Sequence, residues 1–380
     1  MSHINLRSPY FVINQEANLT QCDLTVYVHT GAQSSTTTGA QYSLSSTAIT
    51  PASGNPYTVF DISELARDYI ESTFSGTYSC TTVWVNYQIT RYISSVAQTP
   101  SSVVQLTGFD GYHYFEDGEQ SSATSYTAPN LLQSNTVIYK HDDAVVRIPV
   151  LQDNVTDVTF LNKGQIVNEL AITPALTTST SVIRYVANTG ASYDTFKARV
   201  EADGGTLEES CLGNVFNRYS YAPADAVLLE TSSGVTRIAI KDIEACKYTP
   251  YKLTFINKFG ALQDLWFFSL SKESLSVQSD TYKANILSIG SYSINDRQNV
   301  VMTRNGTESI SMNSGWYPES YNEVFRQLML SEEVWIDYDS NILPVNVSSN
   351  GMEFKKHVND KLINYNISVE FANNKINSVR

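Results

Sequence analysis

The chain has 380 residues, 42% of them apolar, and a formal net charge of -13 with no basic run anywhere. Phosphate backbones and anionic lipid surfaces require clustered Lys and Arg, so the acidic balance argues against nucleic acid and membrane surface as partners. No stretch approaches the roughly 20 apolar residues of a membrane-spanning helix, and the length supports two or three domains, each able to bury a core.

The residue mix favours β structure: Tyr, Ser, Thr and Asn are abundant, and only 17% of residues are charged. Residues 1 to 125 read as a first all-β domain. Leu24, Val26 and Val28 alternate with Thr25, Tyr27 and His29, the pattern of a half-buried strand. Thr58 to Ile62 is a short strand leading into a predicted helix from Asp61 to Ile70, capped by Asp61 or Ser63. Thr82 to Ile89 is the strongest strand, with Trp84 opposite Val83, Val85 and Tyr87. The domain closes on GFDGYHYFEDG, Gly108 to Gly118.

Residues 126 to 275 predict a second, sandwich-like β domain of immunoglobulin-like kind, with strands at 135–139, 145–150, 155–162, 181–187 and 235–240 and a turn at Lys163-Gly164. The segment from Ser192 to Asn217 breaks the β pattern. Capping residues at Ser192 and Asp194, a stop at Asp203-Gly204-Gly205 and a capping box from Thr206 to Glu209 predict an inserted helical hairpin over 190–217. Arms this short are marginal alone, so the hairpin is expected to pack on its own domain or on a neighbouring subunit. The stretch YTPYKLTFINKFGALQDLWFF, Tyr248 to Phe268, predicts two strands about a turn at Asn257 to Gly260, with Gly260 supplying a positive φ. It is expected to complete the second domain.

Residues 276 to 380 predict a C-terminal α+β domain. Long strands at 274–289 and 299–312 precede a helix starting at Pro318, with Tyr321, Val324, Phe325, Leu328 and Met329 on its apolar face. Four strands follow. The last, LINYNISVEF at Leu362 to Phe371, is either central to its sheet or an edge offered to a partner.

Catalytic signatures are missing from the sequence. His3, His29, His113, His141 and His357 are scattered without metal-ligand spacing, and no GxSxG, P-loop or GxGxxG occurs. Asp337, Asp339 and Asn341 start like a calcium loop but lack its Gly and distal Glu. Asp110, Glu116, Asp117 and Glu119 surround Tyr112, Tyr114 and Phe115. Adjacency in one loop does not supply the cleft-spanning carboxylates of a glycosidase, although Tyr112 and Tyr114, with Trp84, are candidates for stacking on a host glycan. The four cysteines, Cys22, Cys80, Cys211 and Cys246, form no CxxC pair and read as free thiols. The start has no apolar run of signal-peptide length, so the five Asn-x-Ser/Thr sequons read as chance. No catalytic residue, cofactor or metal is expected.

Four segments together carry a resemblance: RSPYF with ISELARDYI; FDGYHYFEDG; KDIEACKYTP with YKLTFINKFGALQDLWFF; and SGWYPESYNEVFRQLMLSEEVWI with PVNV and NDKLINYNISVEFA. In these the chain resembles structural proteins of tailed bacteriophages, especially tail-tip and baseplate proteins of marine and Bacteroidota phages. The resemblance implies a mainly β building block of a virion, not an enzyme, assembled in the host bacterial cytoplasm through contacts with its own copies and other virion proteins. A head decoration or neck protein is the nearest alternative, and a carbohydrate-binding adhesin is the alternative of another class. Candidate subunit-interface residues are Phe196, Val200, Leu207, Leu212 and Phe216 in the helical hairpin, Trp266 and Phe268 after the central turn, and Ile367 and Val369 in the last strand.

Overall fold

The computed structural model describes residues 2–32, 39–118, 120, 129–133, 136–141, 144–172, 181–188, 224–243, 247–287, 289–349, 351, 353 and 362–376. It is mainly β, with 53% of the described residues in strands and 7% helical, which is the class expected from composition. The chain forms two compact units: residues 1–243 with 256–263, and residues 244–255 with 264–380.

In the first unit, the Leu19–His29 strand buries Leu24, Val26 and Val28 completely, as its alternation predicts. It lies in a mixed sheet between strands Val83–Ile93 and Tyr42–Thr47, and Ser2–Asn5 adds a parallel edge to Val104–Phe109. A second sheet of five strands runs in the order Gln165–Ala171, Val155–Asn162, Ala226–Thr231, Gly234–Asp242 and Val137–Lys140. Lys163 and Gly164, at φ 49° and 80°, make the tight turn between its first two strands. Pro149 sits in a separate two-stranded pair, Arg147–Leu151 with Ile183–Ala187, where no inner ladder has to be completed.

Each sheet has its own apolar core. A third cluster joins Trp84 and Phe109 from the first β region to Leu131, Leu151, Val182 and Ile183 from the second. This shared core is why residues 1–125 and 126–243 fall in one unit.

The predicted helix at 61–70 is shorter than expected, Ser63–Arg67. The Tyr69 and Ile70 amides reach back only three residues, to Ala66 and Arg67, so the chain tightens and leaves the helix. Asp61 serves its start, accepting from the Ser63 amide at 3.0 Å and the Ser63 hydroxyl at 2.7 Å.

The second unit is built on a seven-stranded sheet. Its order is Leu262–Phe267, Tyr251–Ile256, Val334–Tyr338, Asn341–Val347, Asn366–Phe371, Asn299–Asn313 and Ser271–Lys283. Two expectations are corrected here. The central hairpin pairs with the C-terminal strands, Lys252 to Phe255 opposite Val334 to Asp337, and not with the second β region. The boundary expected at 275 falls inside the Ser271–Lys283 strand.

Helix Asn322–Leu330 packs its Phe325 edge-on against Phe267, with Val324, Phe325 and Leu328 fully buried. The last strand is interrupted. Asn364 exchanges side-chain hydrogen bonds with Asn313, the Ser314 amide donates to the Tyr365 carbonyl, and only Asn366–Phe371 enters the large sheet. Among the described residues no helix is long and apolar enough to cross a membrane.

Candidate functional site

Two segments that the sequence set apart, Gly108 to Gly118 and the turn at Asn257 to Gly260, meet in the first unit. Asn257, fully buried, organises the turn. Its amide nitrogen donates to the Leu131 carbonyl at 2.7 Å and to Gln263 at 3.0 Å, and its Oδ1 accepts from the amides of Phe259 and Ala261. A buried amide with every polar atom used fixes one conformation. Gly260 is at φ +75°, and a Cβ there would lie 2.8–2.9 Å from the backbone of Asp110 and Gly111. A Cβ on Gly111 would come within 2.6 Å of the Lys258 carbonyl. Glycines therefore face each other where two backbones touch, and the Tyr112 amide donates to the Lys258 carbonyl across the contact.

Charged side chains close the junction. Asp110 accepts two bonds from Arg7, at 2.7 and 3.0 Å, and one from the Ser72 hydroxyl at 3.1 Å. Lys258 reaches Asp117 at 2.6 Å and lies over the Tyr114 ring, 4.4 Å from its centroid. The Lys258 hydrogen bond holds the Asp117 carboxyl below the usual carboxylate range. Burial lowers the His113 pKa, and its amide donates to Ser8 Oγ at 2.8 Å. Each carboxylate here has a cation of its own, and the arrangement is a fastening.

This geometry reassigns several sequence-predicted residues. Tyr112 and Tyr114 are half-buried and meet edge to face at 5.6 Å. The Tyr114 face that would stack on a sugar carries Lys258. Trp84 is 2% exposed and donates to the Gly31 carbonyl, so it offers no sugar surface. Glu116 and the neighbouring Phe115, which is 99% exposed, face solvent, and Glu119 lies outside the described residues.

The Cys80 thiol is pushed up to about 11 by burial and contacts the Tyr185 hydroxyl and the Gly260 carbonyl; Cys22 is buried, and both are free. Cys211 and Cys246 lie outside the described residues. Asp339 and Ser340, at φ 47° and 63°, form a two-residue hairpin turn at the site of the half calcium motif. Among the described residues no group of three or more His, Cys, Asp or Glu could hold a metal ion.

The candidate interface residues separate in the same way. Ile367 and Val369 are at most 1% exposed, because Asn366–Phe371 lies between Asn299–Asn313 and Asn341–Val347 as an inner strand; they are core, and the interface assignment is corrected. Phe268 is half-buried beside Tyr317, with ring centroids 5.6 Å apart, and lies so close to Gly315 that a Cβ there would overlap its ring. Trp266 is half-buried, and its carbonyl accepts from the Tyr317 hydroxyl. Phe196, Val200, Leu207, Leu212 and Phe216 lie outside the described residues.

A long exposed surface stands elsewhere, in a pair of strands that the sequence reading did not single out. Ser271–Lys283 and Asn299–Asn313 pair along their whole length, yet Asn366–Phe371 covers the second strand only from Ser309 to Asn313. From Ser276 to Asn305 the two strands, among the described residues, form a ribbon outside the rest of the sheet, extended by residues 284–287 and 289–298. Six residue pairs of ribbon, from Gln278–Asn305 to Lys283–Asn299, span roughly 20 Å. Every residue from 272 to 283 is exposed. So are Leu287 (62%), Ile289 (104%), Ile294 (91%) and Met302 (73%). The signal was present in the sequence as apolar residues in the loop between two long strands.

At the root of this arm is a small cavity of about 210 Å³ lined by Glu273, Glu308, Tyr338 and Phe371. Its carboxylates are already engaged: the Tyr251 hydroxyl donates to Glu273 at 3.0 Å, and Lys375 pairs with Glu308 at 2.9 Å. Burial, followed by the Glu273 hydrogen bond, pushes Tyr251 up to about 12.

Comparison with known protein families, with curated proteins and with solved structures gives no match.

Proposed function

We propose that this chain is a structural component of a tailed-bacteriophage virion, at the tail tip or baseplate, assembled in the host bacterium by protein–protein contacts. The observation that carries this reading is the arm from Ser276 to Asn305. A two-stranded ribbon without a third strand or a covering layer is at best marginally stable in water. Among the described residues this one leaves both edges open, and it displays large apolar side chains, the features that soluble monomers suppress and that interacting surfaces keep. The resemblance in the four quoted segments supplies the setting. The same reading includes the tandem sandwich-like domains and the inserted helical hairpin at 190–217.

An antibody raised against the purified chain tests the proposal by immunogold electron microscopy of the tailed phage particles that encode it. Label at the tail tip is expected. Label on the head surface or neck replaces the assignment with a decoration or neck protein, and particles without label overturn the virion reading.

A further inference from the structure

We infer that the Ser276–Asn305 arm seats on a second copy of the same chain; this rests on the assembly reading above and names its partner. Charge and open strand edges point to this partner. The arm carries Lys283, Arg297 and Arg304 against Asp280 and Asp296, so it is net basic on a chain whose total is -13. All three basic residues are exposed. Asp280 accepts the Thr303 hydroxyl at 2.9 Å within the ribbon and keeps its charge, so three cations against two carboxylates leave the arm one positive charge in excess. Everything outside the arm is therefore more acidic than the chain as a whole. Opposite potentials steer association and fix orientation, and the acidic body of another copy is the complement that accompanies every arm.

Three isolated cations spread over 22 residues are too sparse for a phosphate backbone, which rewards clustering. Between the cations stand Leu287, Ile289 and Ile294 at the tip, exposed at 62–104%. They make an apolar centre with a charged rim, the anatomy of a protein–protein contact. The open edge of Ser271–Lys283 adds backbone donors and acceptors that pair with an extended segment. An arm on one copy meeting a body surface on the next is a heterologous contact, which closes into a ring when the rotation allows it.

Sedimentation of the full chain across protein concentration and salt tests this. The expected result is self-association that weakens with salt. Lys283→Glu/Arg297→Glu/Arg304→Glu should weaken it at least tenfold, and so should Ile289→Ser/Ile294→Ser. A control with the same change in net charge on exposed residues of the first unit, Lys163→Glu/Arg237→Glu/Lys241→Glu, should have a much smaller effect. Circular dichroism should be unchanged throughout, since every substituted side chain is exposed.

A chain that stays monomeric, or self-association that neither arm variant alters, overturns the inference. Replacing residues 279–304 by Asn-Gly closes the ribbon at the Gln278–Asn305 pair and separates the two proposals. If this variant self-associates normally but no longer enters particles, the arm docks on a different virion protein: the inference fails and the virion reading stands. If particles never contain the chain while the arm governs self-association, the reverse holds.

Discussion

Arg7 and Asp110, 103 residues apart, form a two-bond ion pair, Nε to Oδ1 at 2.7 Å and Nη2 to Oδ2 at 3.0 Å, with side chains only 7% and 12% exposed. The pair ties the segment after the first strand to the loop against which the Asn257–Gly260 turn is seated.

Removing one member of such a pair leaves a buried charge without its counterion, which costs roughly 3–5 kcal/mol. Asp110→Ala is expected to lower unfolding stability by that amount in a denaturant titration followed by fluorescence. Adding Arg7→Ala should cost little more, because the stranded charge is gone. Additive losses in the double-mutant cycle would show that the two residues act independently.

Gly260 and Gly118 both have positive φ, +75° and +81°, but a Cβ on Gly118 meets nothing within 4 Å while one on Gly260 meets the backbone of Asp110 and Gly111. Gly118, at φ 81° and ψ -171°, lies in a region that glycine alone occupies readily, so Gly118→Ala should cost only that conformational penalty, roughly 1–3 kcal/mol. Gly260→Ala adds the steric cost and should lose roughly 2–5 kcal/mol. Thermal unfolding of the two variants side by side checks this; equal losses would mean that the turn is not seated as described.

His3 is 4% exposed, its ring 5.1 Å from that of Phe109, and burial lowers its pKa from 6.5 to about 4. The folded state thus prefers the neutral ring, and the unfolded chain takes up a proton first as pH falls. The contribution to stability is complete above pH 6.5 and declines as pH drops toward 4, by up to about 3 kcal/mol. His29 and His113 shift in the same direction through burial, so the comparison is with His3→Gln. That variant should show a shallower loss of stability between pH 6.5 and 4. An unchanged slope would remove His3 from the account.

Much of this fold was legible one strand at a time. Leu24, Val26 and Val28 advertise a buried face, Gly260 advertises a positive φ, and Val324, Phe325 and Leu328 advertise a helix face, because each is a local pattern read over a few residues. Pairing was not legible. Nothing in Tyr251 to Phe255 says that its partner is Val334 to Asp337 rather than a strand of the preceding region, since both are apolar runs of similar length. The site was half legible. The acidic aromatic segment and the Asn257 turn each stood out, but their meeting depends on long-range contacts such as Asn257 to Leu131. Ile367 and Val369 show the converse: clean alternation identifies a half-buried strand but not whether its apolar face meets a partner or its own core.

The arm is where the account is most exposed to test. Hydrogen–deuterium exchange of residues 272–305, measured on the dispersed chain and on its assembled form, bears on it directly. The account predicts fast exchange along the outer edge of Ser271–Lys283 when dispersed and strong protection of the arm on assembly. An arm that exchanges equally fast in both states, while protection appears on another surface, would contradict it.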